Sequence, residues 1–120
     1  MGLLHIFNTG VVRQLISTET NVTPAVLDEG KSIFIDMPIA EYGVAGAVVC
    51  GAWKYATQRY ALRLHATGDS KIICLWIDEY QNSVTSFDSK FLAECRSHLA
   101  CMVVLTTALS TTPECARARS

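Results

Sequence analysis

Two adjacent carboxylates, Asp78 and Glu79, directly follow the apolar run KIICLWI and are the residues best placed to do chemistry. A continuous apolar run predicts a strand covered on both faces of a parallel sheet, and such sheets bind ligands at the carboxyl ends of their strands. There an Asp can help to hold Mg²⁺ on the phosphates of a nucleotide while the next Glu polarises the attacking water. The plainer interpretation is that polar residues simply end a buried strand, and the sequence leaves both open.

Three further candidates follow from their positions around a second apolar run, CMVVLTT. Arg96 lies at the end of a predicted helix just before this run, with His98 close by. These two side chains could complement the helix dipole, or Arg96 could face a nucleotide bound by its own or a neighbouring subunit. Thr106 and Thr107 end the run and could contact a phosphate or a water.

The tripeptide Gly30-Lys31-Ser32 imitates the end of a phosphate-binding loop. Such a loop has the form Gly-x-x-x-x-Gly-Lys-Ser/Thr and lies between a strand and a helix. Here Ala25 occupies the first glycine position, and the acids Asp28 and Glu29 would repel phosphate. The next predicted element is also a strand, so no helix N-terminus would point at a bound anion. We therefore interpret Lys31 as a solvated charge at the start of a strand.

The elements that must position these residues alternate between strand and helix patterns. In chain order they are a strand over Ser32–Pro38, a helix over about Tyr42–His65, the strand KIICLWID, a helix from Phe87 to about His98 with Ser86 as its N-cap, and the strand CMVVLTT. Helical crossovers between apolar strands require a parallel sheet. The predicted fold class is therefore α/β, with crossover helices and a parallel sheet of too few strands to be complete.

Residue spacing also predicts which faces are buried. The apolar stripe of the long helix comprises Ala45, Val49, Ala52, Trp53, Ala56, Tyr60 and Leu64. Its opposite, solvent-facing side carries Lys54, Gln58 and Arg59, and its early glycines, Gly43, Gly46 and Gly51, are expected where the backbone lies close to a sheet. The second helix is expected to bury Phe87, Phe91, Leu92 and Cys95. Asp36, which ends the first predicted strand, is expected to lie near Asp78 and Glu79.

Composition excludes several classes of protein. The chain has 120 residues and a formal net charge of −1, which gives no support for a broad basic surface that grips nucleic acid. Its five cysteines form no CxxC pair, and we expect reduced thiols, no disulfide and no zinc site in a cytoplasmic protein. The apolar runs are strand-sized, so no membrane span is expected.

The ordered motifs NVTP, DMPIAEYG, WKYATQR, WIDEYQ and SFDSKFLAECRSH resemble the motor domain of TraD/TraG-like type IV coupling proteins. The resemblance covers about Val12 to Thr107, and the motifs are specific as a set although each alone is weak. It implies the C-terminal part of a RecA-like, P-loop NTPase-type motor domain. Members of this family are hexameric ATPases at the inner membrane that drive DNA or protein into a conjugation or secretion channel.

The resemblance also implies roles for single residues. Asp78 and Glu79 match the Walker B acids, with Asp78 as a ligand of Mg²⁺ and ATP as the nucleotide. Arg96 falls in the RSH segment, and Thr106 and Thr107 lie where a sensor residue follows the strand. The family commonly has a Gln after the Thr, where this chain has Ala108. The implied partners are the other subunits of a hexamer, secretion-channel or relaxosome proteins, and DNA, in the cytoplasm at the inner membrane.

The chain also departs from the family. The Walker A loop, its strand and the membrane-spanning N-terminus lie upstream of the matched region and have no counterpart in these 120 residues. The expectation is a fragment, with residues 1–30 a mixed extension, 31–108 a partial RecA-like domain with the Walker B strand, and 109–120 a frayed tail. Alone it should not hydrolyse ATP or bind it tightly, and Asp78 should hold Mg²⁺ weakly at most. The alternatives are a non-catalytic α/β interaction module for a secretion or conjugation partner, and an unrelated small enzyme with Asp36 and Asp78 as paired carboxylates.

Overall fold

A computed structural model describes residues 18–64 and 71–107, with a few isolated positions before residue 18. The helices and strands of this part are α1 (Ile39–Ala61), β1 (Ile73–Ile77), α2 (Phe87–Glu94) and β2 (Ala100–Val104). Short 3-10 turns lie at Pro24–Leu27, Tyr80–Asn82 and Cys95–His98. The predicted tail at 109–120 and much of the predicted extension at 1–30 lie outside the described residues, as does the expected helix end at His65.

β1 and β2 form a two-stranded parallel sheet, in register from Ile73 opposite Ala100 to Ile77 opposite Val104. Helix α2 lies between them in the chain, as parallel neighbours require a crossover connection. The predicted α/β class, with a parallel sheet and a helical crossover, is therefore confirmed. Of the three predicted strands, the last two are present in the described part of the chain.

The apolar core covers one face of this sheet. It is formed by Ala61, Ile73, Leu75, Phe91, Cys95 and Ala100. Because side chains alternate along a strand, Cys74 and Trp76 point to the other face. Cys74 is exposed and Trp76 is 73% exposed, so this face is open among the described residues. The prediction that this strand is covered on both faces is wrong for the described residues, although its apolar composition is that of a strand with two buried faces.

The predicted first strand, Ser32–Pro38, is not a strand. Residues 31–38 have no regular secondary structure and pair with no described strand, and Phe34 is 92% exposed. Ile-Phe-Ile has high β propensity, but that propensity depends on packing against a neighbouring strand. Asp36 is therefore not delivered to the carboxyl end of the sheet, and the reason for expecting it beside Asp78 is lost.

Helix α1 begins earlier than predicted and is kinked. Pro38 precedes its first turn, where its carbonyl accepts hydrogen bonds from the Glu41 and Tyr42 amides. At Gly43 the backbone has φ 54° and ψ −135°, which interrupts the helix in a conformation suited to glycine. None of the helices in the described part of the chain is long and apolar enough to cross a membrane.

The packing of α1 differs from the predicted stripe. Its buried residues are Gly46, Val49, Lys54, Gln58 and Ala61, whereas Ala52 and Ala56 are exposed. Gly46 lies against the carbonyl of Met37 in the segment before the helix, while an added Cβ at Gly51 would meet nothing within 4 Å. The early glycines were expected where the helix lies close to a sheet, but Gly46 instead lies close to the backbone of the irregular segment 31–38.

Helix α2 is shorter than predicted, because its last turn tightens into the 3-10 turn Cys95–His98 and ends at Leu99 in the left-handed region. Phe91 and Cys95 are buried as expected, but Leu92 is 52% exposed and does not belong to the buried stripe. Ser86 occupies the N-cap position without a capping hydrogen bond from its side chain. Asp88 caps instead, since its Oδ2 accepts from the Thr85 amide at 2.9 Å.

Candidate functional site

Asp78 and Glu79 form a tight turn directly after β1. The Glu79 amide donates to Asp78 Oδ1 at 2.8 Å, and Asn82 Nδ2 donates to Glu79 Oε2 at 3.2 Å. Glu79 has φ 47° and ψ 43°, a left-handed conformation that is uncommon for a residue other than glycine. Both carboxylates are exposed. The turn therefore holds the two acids at the surface with one carboxylate oxygen of each engaged in a local hydrogen bond.

Main-chain hydrogen bonds join this turn to the end of β2. The Leu105 amide donates to the Ile77 carbonyl at 2.9 Å, and the Tyr80 amide donates to the Leu105 carbonyl at 3.0 Å. These bonds continue the sheet contact past the last paired residues. The chain after β2 is thereby held beside the acid-bearing turn.

The Gln81 side chain connects the same two segments. Its Oε1 accepts from the Thr106 hydroxyl at 2.8 Å, and its Nε2 donates to Thr107 Oγ1 over a longer 3.5 Å. The structure thus brings four predicted site residues, Asp78, Glu79, Thr106 and Thr107, to one edge of the sheet. Gln81, two residues after Glu79 in the chain, thus links the acidic turn to the threonines.

Arg96 lies at the other end of the sheet. It is exposed in the 3-10 turn that precedes β2, whereas Asp78 follows β1, so a full strand length separates them. For a five-residue strand that length is about 13 Å. His98, in the same turn, contacts the Leu64 carbonyl through Nδ1 at 2.8 Å and so joins the turn to the end of α1. Arg96 is not part of the edge that carries the acids.

A buried polar cluster that the sequence did not predict lies behind the acidic turn. Asp88 accepts hydrogen bonds from Lys54 Nζ at 2.6 Å, Gln58 Nε2 at 2.8 Å and the Tyr80 hydroxyl at 2.9 Å. Lys54, Gln58 and Asp88 are all buried, which corrects the prediction that Lys54 and Gln58 face solvent. We call these four side chains the Asp88 cluster.

The charge of Asp88 is stabilised by its partners. Burial alone would raise the pKa of this carboxyl, but hydrogen bonds from Lys54, Gln58, the Thr85 amide and Tyr80 outweigh burial and hold the pKa below its ordinary value of 3.8. Lys54 also donates to the Ser83 carbonyl and lies 5.3 Å from the centre of the Tyr80 ring. Tyr80 directly follows Glu79, so the cluster fixes the turn that carries the acids.

Some sequence signal for the Asp88 cluster exists in retrospect. Lys54 and Gln58 are four residues apart, so they lie on the same side of a helix. Asp88 is in the first turn of the next helix, and Tyr80 is next to the acidic pair. What the sequence lacks is any sign that these separate positions meet, because a polar pair at helical spacing is far more often solvated than buried.

Lys31, of the tripeptide that imitates a phosphate loop, forms an ion pair with Glu29 at 2.5 Å. Gly30 adopts φ 77°, and an irregular segment rather than a helix follows. This geometry places no helix N-terminus at Lys31, and its charge is already neutralised by a neighbouring acid.

We call the edge of the sheet that carries Asp78 and Glu79 the acidic edge. It offers carboxylate oxygens of the kind with which proteins bind Mg²⁺. Magnesium in nucleotide sites is bound by one or two carboxylates together with waters and phosphates, and Asp78 Oδ2 and Glu79 Oε1 are the carboxylate oxygens outside the local hydrogen bonds described above. Among the described residues no group of three or more His, Cys, Asp and Glu side chains converges as around a protein-held metal ion. The two acids can therefore offer carboxylate oxygens to a cation, and no third such side chain joins them among the described residues.

Comparison of the chain with known protein families finds no match, and comparisons with curated proteins and with solved structures find none either.

Proposed function

We propose that the chain carries the Walker B end of a nucleotide-driven motor of the type IV coupling protein class, with a partial RecA-like fold. One observation carries this proposal: Asp78, Glu79, Thr106 and Thr107 meet at the carboxyl ends of two neighbouring parallel strands. That edge is where open α/β sheets bind their ligands. Of the motifs that resemble the family, WIDEYQ supplies Asp78 and Glu79, and the resemblance extends over Thr106 and Thr107.

In this proposal Asp78 contributes an oxygen to Mg²⁺, which neutralises charge on the phosphates when it is bound. Glu79 orients and polarises the attacking water, because its turn keeps the carboxylate at the open edge rather than in the core. Gln81 couples the acidic turn to Thr106, so a change at the phosphates would reach the end of β2. The 120 residues contain no Walker A motif, so the isolated chain is expected not to hydrolyse ATP.

The position of Arg96 favours a role between subunits. Because it lies about a strand length from Asp78, it does not serve the nucleotide held at its own subunit's acidic edge. In a ring of subunits an exposed arginine at the opposite edge can face the neighbour's nucleotide. The proposed partners are accordingly other subunits of a hexamer, with channel or relaxosome proteins and DNA as the wider assembly, in the cytoplasm at the inner membrane.

A second candidate function is a non-catalytic α/β module that binds a secretion or conjugation partner. The observation that favours it is the open apolar side of the sheet, with Ile72 and Trp76 largely exposed. Exposed apolar patches of this kind mark contact sites in soluble proteins. In the motor proposal, further strands or helices of the motor domain cover the same side.

A chimera distinguishes the two functions. Residues 31–107 would replace the matching segment of an intact coupling protein, and ATP hydrolysis and hexamer formation would be measured. We expect hydrolysis that falls at least ~100-fold with Glu79→Gln, in line with the loss of a group that activates water. Glu94→Gln, at an exposed acid on α2, is the matched control and should leave hydrolysis unchanged. A hexameric chimera without Glu79-dependent hydrolysis would contradict the motor proposal.

The full 120-residue chain provides a direct test of the acidic edge. Titration with Mn²⁺, read by electron paramagnetic resonance with and without ATP, should show weak binding that Asp78→Asn removes and Glu94→Gln preserves. ATP turnover should be absent throughout. Mn²⁺ binding that is indifferent to Asp78 would show that this edge is not a metal-nucleotide site.

A further inference from the structure

Two cysteines face each other across the two strands on the open side of the sheet. Cys74 of β1 and Cys101 of β2 are direct partners in the parallel register. Neighbouring strands lie about 4.8 Å apart, which is inside the range of roughly 4.4–6.8 Å between Cα atoms that a disulfide spans. Both side chains point to the face opposite the core residues Ile73 and Ala100, because side chains alternate along a strand.

The two thiols occupy directly opposed positions on the two strands but differ in environment. Cys74 is exposed, whereas Cys101 is half-buried. A hydrogen bond with Cys74, followed by partial burial, raises the pKa of the Cys101 thiol, so that this residue keeps its proton. Cys74 is therefore the more accessible sulfur for attack on an external reagent, and Cys101 lies next to it to resolve the product.

The other described cysteines do not share this arrangement. The buried Cys95 thiol points to the Leu92 carbonyl, with Sγ at 3.6 Å from the oxygen. Cys50 is on helix α1, where burial raises the pKa of its thiol. Cys74 and Cys101 are thus the described pair in which both residues occupy adjacent positions on adjacent strands.

We propose that Cys74 and Cys101 form a thiol–disulfide exchange site that takes low-molecular-weight disulfides as oxidants. The Cys74 thiolate attacks one sulfur of the reagent, which breaks the reagent's S–S bond, forms a mixed disulfide and releases one thiolate. Cys101 then loses its proton and attacks Cys74 Sγ, which forms the Cys74–Cys101 bond and releases the second thiolate. Two protein thiols are oxidised, the reagent is reduced to two thiols, and the two protons pass to them.

This chemistry needs the two described strands and an accessible Cys74, so it applies to the 120-residue chain, in which the open side of the sheet is uncovered among the described residues. Trp76 provides a local reporter, since it lies on the same face two residues from Cys74 and is opposite Val103. A disulfide close to an indole quenches its fluorescence. Closure of the pair should therefore lower the Trp76 emission, and a dithiol reductant should restore it.

The test uses the full chain and oxidised glutathione, with peptide mapping by mass spectrometry after the free thiols are blocked. We expect the Cys74–Cys101 crosslink and the loss of two of the five thiols. Cys101→Ser should stop at a stable mixed disulfide on Cys74, whereas Cys74→Ser should form little mixed disulfide at Cys101. Cys50→Ser, which removes a half-buried cysteine outside the pair, should behave as the unsubstituted chain does.

The two single variants, Cys101→Ser and Cys74→Ser, test the order of the two steps even if the crosslink itself strains the sheet. If Cys74 were only an exposed thiol, it would form a mixed disulfide with glutathione that Cys101 would not resolve. A stable mixed disulfide on Cys74 in the unsubstituted chain, or a crosslink that joins Cys50 or Cys115 instead, would overturn the assignment. Loss of the fluorescence change in Trp76→Phe, with the crosslink retained, would confirm the placement of the pair.

Discussion

Lys54 Nζ lies 2.6 Å from Asp88 Oδ2, and the side chains are only 3% and 4% exposed. This ion pair joins the middle of α1 to the first turn of α2 inside the molecule. Tyr80 donates a hydrogen bond to the same carboxylate oxygen and is the residue next to Glu79. The pair is therefore a support for the acidic turn as well as a contact between helices.

Lys54→Met should strongly destabilise the chain. Removal of one partner leaves a buried charge without its counter-ion, which costs about 3–5 kcal/mol. We expect a loss near the lower end, about 3 kcal/mol, because Gln58, Tyr80 and the Thr85 amide still donate to Asp88. Urea unfolding of the full chain measures the change.

Lys90→Met, at an exposed lysine on α2, is the matched control and should change the free energy of unfolding by less than about 0.5 kcal/mol. The double variant Lys54→Met/Asp88→Leu should recover most of the loss, since apolar replacement of a buried pair is often neutral. Equal effects of Lys54→Met and Lys90→Met would show that the buried pair does not form.

Acid should destabilise the chain through Asp88. The folded pKa of this carboxyl is below the unfolded value of 3.8, so its stabilisation is complete above pH 3.8 and is lost as the pH falls from there through the folded pKa. A ¹³C carboxyl titration by NMR should place the Asp88 midpoint below 3.8. Tyr80→Phe removes one hydrogen bond to the charged form and should raise the midpoint, and a midpoint unmoved by this change would argue against the bond.

Glu79→Gly should stabilise the fold while it abolishes any water activation. The left-handed backbone at Glu79, with φ 47°, costs a residue with a Cβ about 1–2 kcal/mol, and glycine avoids that cost. Part of the gain is lost to the greater freedom of glycine in the unfolded chain, so we expect a net gain of about 0.5–1 kcal/mol. Thermal unfolding measures it. Glu79→Gln keeps the Cβ and should not be stabilised, so a gain in both variants would show that backbone strain is not its source.

Gly46→Ala and Gly51→Ala should have opposite effects although both glycines are in α1. A Cβ at Gly46 would lie 2.8 Å from the Met37 carbonyl oxygen, so the segment before the helix must move. A Cβ at Gly51 meets nothing within 4 Å, and alanine there should stabilise the helix by up to about 1 kcal/mol. Urea unfolding of the two variants should therefore move the midpoint down for Gly46→Ala and up for Gly51→Ala. Stabilisation by both would mean that residues 31–38 do not rest on the helix.

The sequence predicted β1, β2 and the two helices because each has a strong local pattern. The runs ICLWI and ACMVV are apolar and contain β-branched or aromatic residues. Between them, apolar residues recur at the spacing of a helix. Thr106 and Thr107 lie beside the turn that carries Asp78 because neighbouring parallel strands end at the same edge. The segment at Ser32–Pro38 has equally strong strand propensity, yet it lacks a neighbour with which to form a ladder among the described residues.

What the sequence determined by itself is the class of the fold and the edge at which its acids lie, because periodicity and chain order are local properties. Only the tertiary structure decided which face of α1 is buried, since Lys54 and Gln58 become core residues only when Asp88 is brought to them from another helix. It also decided the register of the two strands, which sets Cys74 opposite Cys101. These are contacts between residues distant in the chain, and their free energy depends on partners that no local pattern specifies.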